Sequence, residues 1–416
     1  MIQPDILIIG AGAAGLIAAG KASEKGKSVL VIEKMDKAGK KLLITGKGRC
    51  NITNSNSQSE HFKHIRKNAR FLKYSYSIFF NKDIVDLLEK NGVKTVNERG
   101  NRVFPASQKA IDVVEALKLW NLKQNVKFLY KCKANKLIID NNKIIGVEVN
   151  YKNNTETIHC SKVIVCTGGK SYPATGSTGD GYILAEQAGH KIIPAFPALV
   201  PLETEEVIHK SLYDFTIKNA SASLWVNNRK ICSEFGELSF LKYGLTGPVI
   251  LTLSRQIVEH INNRDKVQVI IDLKPALDDQ KLDKRLLRDI ESFAKKQIKH
   301  IFKSWLPSAI IPSFIEILSL NENMPVSDLT AKDRKRIRLL MKNWTFNIKG
   351  YRSFSEAIIT SGGVCCNEVD SKTMQSKITQ GLYFAGEILD IDADTGGYNL
   401  QIAWSTAWIA GSSTDL

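Results

Sequence analysis

No stretch of this 416-residue chain approaches 18 uninterrupted apolar residues, so no membrane span is expected. The first apolar run follows no basic segment and precedes no small-residue cleavage site. It reads as a strand rather than a secretory signal, which predicts a cytoplasmic location. Seven cysteines, an odd number with no C-x-x-C among them, fit a reducing compartment and argue against the dithiol class of reductases. His190 and His209 lack partners at ligand spacing, so no metal is expected. Internal repeats and low-complexity tracts are missing as well. Acid is in short supply: 58 Lys and Arg against 42 Asp and Glu give a net charge of +16. Between Lys34 and Lys73, the cations Lys37, Lys40, Lys41, Lys47, Arg49, Lys63, Arg66, Lys67 and Arg70 face only Asp36 and Glu60. A second basic run holds Lys332, Arg334, Lys335, Arg336, Arg338 and Lys342. Such an excess is either a solvated lysine-rich surface or a surface for a polyanion. RNA leads among polyanions, because cations neutralising phosphates supply most nucleic-acid affinity.

What is present is organised around residues 5–33. Asp5 to Ile9 is a short apolar run of the kind that forms a buried parallel strand. Gly10, Gly12 and Gly15 follow as G-x-G-x-x-G, Leu16 to Ser23 reads as helix, and Ser28 to Ile32 is a second apolar run ending on Glu33. The first glycine permits a tight turn, the second lets the backbone approach a pyrophosphate, and the third lets the helix pack close to the strand. The helix N-terminus at Ala13 and Ala14 offers N–H groups to phosphates. Glu33 can accept both hydroxyls of an adenosine ribose, which predicts FAD or NAD rather than NADP. An ordinary βαβ turn would leave Glu33 and three glycines to coincidence. No second G-x-G-x-x-G occurs, so no dedicated NAD(P)H domain is expected.

Residues 38–54, AGKKLLITGKGRCNITN, are too rich in Gly and Lys for a regular element and read as a loop returning over the nucleotide. Residues 62–92 carry helical periodicity and end at the C-cap signal Asn91-Gly92; a helix with Ser107 as N-cap follows. Lys127–Tyr130, Ala134–Ile139 and Ile144–Val149 read as strands, with Asn141-Asn142 turning a hairpin. The run Lys162–Cys166 leads into Thr167-Gly168-Gly169. Gly176, Gly179 and Gly181 open a helix near Tyr182, either a second seat for anionic atoms or a plain helix start. The fold expected is α/β, a Rossmann-like dinucleotide domain in two parts, residues 1–195 and 347–416. A β-domain over 196–273 and a small helical domain over 274–346 are inserted between them.

Several long motifs carry a family resemblance: GKGRCNITN (46–54), NRVFPAS (101–107), SYPATGSTGDGY (171–182), YGLTGPVILTLS (243–254) and GLYFAGEILDIDADTGGYNLQIAW (381–404). With them the whole chain resembles the BaiN/RdsA-type NAD(P)/FAD-dependent oxidoreductases, which include YhiN-like and aminoacetone-oxidase-like proteins. The resemblance implies tightly but non-covalently held FAD in a two-dinucleotide-binding-domain flavoprotein fold, with a β-barrel-like insertion. It places Gly10, Gly12, Gly15, Glu33 and Lys34 on the ADP half and Ala134 beside adenine. Lys41, Arg49 and Cys50 lie on the loop passing the pyrophosphate and flavin. Thr167 and Gly168 close the first half of the FAD domain, Gly386 and Glu387 take the ribityl side, and Gly397, Asn399 and Leu400 present the last helix to the flavin.

Three activities sit within that resemblance: reduction of uridine in ribosomal RNA to dihydrouridine, reduction of a C=C bond in a steroid-like acid, and oxidation of a small amine. NAD(P)H would dock transiently as donor, or the substrate itself would supply electrons. The basic excess favours the RNA. Cys50, flanked by Lys47 and Arg49, is a candidate acid with a lowered thiol pKa, or a small residue packed under the flavin. Tyr398 is a second candidate acid, or a stacking ring. Arg102 would hold a substrate phosphate or carboxylate, or pair with Glu98.

Overall fold

The apolar runs become strands because they are buried on both faces, as parallel strands require. In the computed structural model, which describes residues 3–414, five strands form a parallel sheet in the order Leu382–Phe384, Lys162–Val165, Ile6–Ile9, Val29–Glu33, Lys127–Tyr130. The side chains of Ile6–Ile9 are at most 5% exposed. Burying an Ile or Leu in this way is worth about 1.5–3 kcal/mol each. The helices Ala13–Ser23 and Tyr398–Ser413 pack together against the sheet, close enough that a Cβ on Gly411 would lie 2.6 Å from the Ala18 carbonyl oxygen. An antiparallel sheet of Cys132–Asp140, Lys143–Tyr151 and Asn154–His159 turns at Asn141 and Asn142, both at positive φ. A small sheet joins Thr53–Asn54, Arg102–Pro105 and Thr95–Glu98. These elements belong to one unit, built from residues up to Pro197 and from Ala357 onward.

Ala198–Glu356 forms the second unit. Its strands close into a barrel in the order Leu202–Thr204, Gly244–Thr246, Arg229–Leu241, Thr216–Val226, Val267–Asp272, Trp344–Tyr351. The last of these pairs with both Val267–Asp272 and Leu202–Thr204. Residues 347–356, expected in the dinucleotide domain, therefore belong to the second unit. The helices Asp279–Ser292, Ile298–Trp305, Ile311–Leu318 and Ala331–Lys342 share one apolar core with the barrel instead of forming a separate domain.

Two local expectations also change. Lys40–Gly48 is helical up to a break at Thr45–Lys47, because Leu42 finds a buried seat and the glycines act only after it. The helix Ala110–Lys123 starts after Lys109 with no side-chain cap, so Ser107 does not cap it. Much of the second basic run is neutralised internally. Arg334 and Arg338 meet Asp283 at 3.2 and 3.1 Å, Arg336 meets Asp333 at 3.4 Å, and Lys342 meets Asp272 at 2.5 Å.

Candidate functional site

The strand order sends the chain in opposite directions from the neighbours Ile6–Ile9 and Lys162–Val165, so a crevice opens beyond their C-terminal ends. Gly10 turns out of the first strand at φ +100°, and a Cβ there would lie 2.7 Å from the Cys166 carbonyl oxygen. A Cβ on Gly15 would lie 1.8 Å from the Gly10 carbonyl oxygen, so helix and turn are in contact. At Gly12 an added Cβ meets nothing within 4 Å. The space above that backbone is kept clear. No side chain caps the helix that begins at Ala13 and Ala14, and its first turn holds no acid.

Glu33, at the end of its strand, is fixed by backbone donors: Ala11 N–H to Oε2 and Met35 N–H to Oε1, both 2.8 Å. Glu33 lines one cleft with Gly10, Lys34, Ala134, Thr167 and Asp180. Lys34 donates to Asp180 at 2.7 Å and to Thr178 at 2.5 Å. Burial would raise the Asp180 carboxyl, but the bonds from Lys34 and Thr178 outweigh it and hold the group below the usual carboxylate range.

Further along, Glu387 ties distant segments together. Its Oε2 accepts from Lys41 Nζ at 2.6 Å, and its Oε1 accepts from Ser171 Oγ at 2.9 Å and Thr360 N–H at 2.8 Å. Gly168 lies against this knot, with an added Cβ 3.8 Å from Glu387. Gly386 packs on the first helix, 2.9 Å from Ala14 Cβ by the same measure.

The last helix starts at Gly397, whose φ of +99° and approach to Thr53 (2.4 Å from an added Cβ) leave room only for glycine. It too has no side-chain cap and no acid in its first turn. Thr53 Oγ1 bonds Gln401 at 2.6 Å and Trp404 Nε1 bonds the Ile52 carbonyl at 2.9 Å, which fixes the helix start. The Asn399 side chain is spent on the preceding loop, bonding Ala393 and Asp394, so only its main chain is available to a ligand. Leu400 is half-buried.

The three candidate catalytic side chains fare differently. Cys50 is fully buried, and burial pushes its thiol up to about 12, the reverse of the expected lowering. Its charged neighbours do not reach it: Lys47 is exposed, and Arg49 turns to Glu98 at 3.0 Å and Gln108 at 2.7 Å. Because Arg49 takes Glu98, the Glu98–Arg102 pair does not form; exposed Arg102 bonds the Arg99 carbonyl instead. Arg102 sits in register opposite Asn54, whose side chain bonds the Gly396 carbonyl at 3.2 Å. Tyr398 is 4% exposed, and burial raises its phenol. Its ring stacks on His64 at 4.2 Å and meets the edge of His61 at 4.8 Å.

Those two histidines escaped the sequence reading. His64 Nδ1 bonds Asp394 Oδ2 at 3.0 Å across 330 positions of chain. No local spacing could announce it. His61 is buried, bonds the Asn54 carbonyl through Nε2 at 2.9 Å, and is held neutral by burial, its pKa lowered to about 4. Among the described residues, no group of three potential ligands could hold a metal.

A parallel sheet with a glycine fingerprint, a ribose-type acid and two uncapped helix starts makes this chain a Rossmann-type, flavin-dependent oxidoreductase. It belongs to the family of the HI0933-like protein Rossmann domain, whose profile matches residues 4–413. It is similar to a ribosomal RNA dihydrouridine synthase of Haemophilus influenzae, 30% identical over 98% of this chain and 97% of that one. It is also similar to a 3-dehydro-bile acid delta(4,6)-reductase of Clostridium scindens, 28% identical over 97% of each chain. A 3-ketosteroid delta1-dehydrogenase of Sterolibacterium denitrificans shares the fold, with a TM-score of 0.51 at 12% identity over 99% of both chains. No described helix is long and apolar enough to cross a membrane.

Proposed function

We propose that this chain holds FAD in the crevice and reduces uridine in ribosomal RNA to dihydrouridine, with NAD(P)H docking transiently as donor. The clear space over Gly12 and the uncapped starts at Ala13 and Gly397 fit that cofactor. Gly10, Gly12, Ala13, Ala14, Gly15 and Glu33 would hold its ADP half, with Ala134 beside the adenine. Thr167, Gly168 and Gly386 would lie along it, and the first N–H groups of the last helix would meet its isoalloxazine. Bound FAD supplies the two-electron chemistry.

One observation carries the RNA reading. Residues 61–82 hold six Lys and Arg and no acid. This segment is tied to the loop that enters the last helix by the Ile65–Ala393 bridge, the His64–Asp394 bond and the Asn68–Asp390 bond. Exposed Arg66, Lys67, Arg70 and Lys73 would rim the start of that helix, with Lys63 paired to Glu60 at 2.7 Å. A steroid-like acid or a small amine needs no such rim; a phosphate backbone does. Reducing the uracil C5–C6 bond also needs a proton at C5. The imidazole of His64, oriented by Asp394 and stacked on Tyr398, is the group we assign to deliver it.

Nucleoside mass spectrometry of ribosomal RNA from a strain lacking the protein tests the reading. Loss of dihydrouridine at one position, restored by the wild-type gene but not by Gly12→Asp, is the expected result. Unchanged RNA would leave the small-molecule chemistry of the bile-acid reductase as the better reading.

A further inference from the structure

The second unit carries a basic face of a different kind from its ion-paired run. Residues 292–315 contain four Lys and no acid. Lys295, Lys296 and Lys303 are exposed and Lys299 is half-buried, with His300 exposed among them. The neighbouring acids do not neutralise them. Asp289 is taken by Trp305 Nε1 at 3.0 Å, and Glu322 meets Lys299 only through its backbone carbonyl. Lys299 Nζ bonds neutral Asn323 at 3.2 Å, and Lys296 lies 5.1 Å from the Phe293 ring centroid. Among the described residues none of the four lysines is in an ion pair. On the helix Ala331–Lys342 of the same unit, Arg334, Arg336, Arg338 and Lys342 all are.

The helix Ile298–Trp305 explains why the charges gather on one side. Ile298, Ile301, Phe302 and Trp305 are at most 3% exposed, so its apolar face is used up in the core. Lys299 and Lys303, four residues apart, share the outer face, and exposed Lys295 and Lys296 lie in the turn just before the helix. A membrane-surface helix would keep apolar side chains for the bilayer, and this one has none to spare. What remains is a ridge of ammonium groups on flexible stems, suited to a sugar-phosphate backbone read by charge and not by sequence.

We infer that Lys295, Lys296, Lys299 and Lys303 form a docking ridge for the RNA backbone, in addition to the rim of the first unit. The inference rests on the ribosomal RNA reading. Its role is affinity alone, so it acts on KM and leaves kcat unchanged.

The test uses the FAD-loaded full chain and protein-free ribosomal RNA from the deletion strain. Binding is measured between 50 and 300 mM salt, and dihydrouridine formation is followed with NAD(P)H. The K295Q/K296Q/K299Q/K303Q variant should keep its flavin absorbance and kcat. Its KM should rise at least about tenfold at 150 mM salt, and its log–log salt slope should flatten by about 3. A K295Q/K296Q/K303Q variant, which spares the Lys299–Asn323 bond, should move the same way by a smaller step. K281Q, which removes an exposed lysine already paired with Asp278 at 3.3 Å, should behave as wild type. Wild-type slope and KM in the quadruple variant, with the wild type still modifying RNA, would overturn the ridge and leave the RNA reading standing. A wild-type protein that neither binds nor modifies the RNA would overturn both. So would binding confined to phosphatidylglycerol vesicles.

Discussion

At the scale of single residues, glycine positions separate cofactor space from packing. Gly12→Ala should fold normally, because its Cβ meets no protein atom, yet purify with little flavin. Gly15→Ala should fold poorly, because its Cβ meets the Gly10 carbonyl oxygen. Thermal melts and flavin absorbance distinguish the two. His64→Gln and Asp394→Asn should retain flavin and lower kcat by about 10²–10⁴, with loss of one limb of the pH–rate profile. An unchanged profile would make the pair merely structural. His61 makes a separate prediction about acid. Its pKa is near 4 when folded against an ordinary 6.5, so between those values the unfolded chain binds a proton that the folded chain refuses. Its contribution is intact above pH 6.5 and is lost as pH falls toward 4, on the order of 2–3 kcal/mol. Urea melts of His61→Phe should show a flatter acid limb than wild type. The glycine fingerprint and Glu33 were legible because their chemistry is local. The lowered Cys50 thiol and the Arg102–Glu98 pair did not materialise, because flanking charge in sequence says nothing about which way a side chain turns.

At the scale of elements, apolar runs and turn residues announced the parallel strands and the Asn141–Asn142 hairpin. The start of the last helix at Gly397 was legible through the family resemblance. Its reason was not: Gly397 must pass over Thr53, more than 300 positions away, and only the folded chain shows that contact. Gly397→Ala should cost about 1–3 kcal/mol in backbone strain alone, with the clash added, and release flavin together with the drop in melting temperature. If flavin stays bound at full occupancy, the start of the last helix is not part of the cofactor site. The helical start of Lys40–Gly48 was hidden because glycine and lysine density masked a single buried Leu42.

For the molecule as a whole, composition announced an insertion but not its closing seam. Trp344–Tyr351 straddles the expected boundary between the helical insertion and the dinucleotide domain; only pairing with Leu202–Thr204 and Val267–Asp272 assigns it to the barrel. Charge shows the same limit. Two basic runs look alike in sequence, and the fold pairs much of each within its own unit, Arg334, Arg338 and Lys342 in one and Lys34, Lys40, Lys41, Arg49 and Lys63 in the other, with Lys67, Arg70 and Lys73 exposed beyond them. The most direct measurement is reconstitution: purified FAD-loaded protein, NADH or NADPH, and ribosomal RNA from cells lacking the protein, read by mass spectrometry of nucleosides. The expected result is dihydrouridine at one position, formed only with donor present and abolished by Gly12→Asp. Bleaching of the flavin by NAD(P)H with reoxidation by a steroid-like enone, and no change in the RNA, would contradict it.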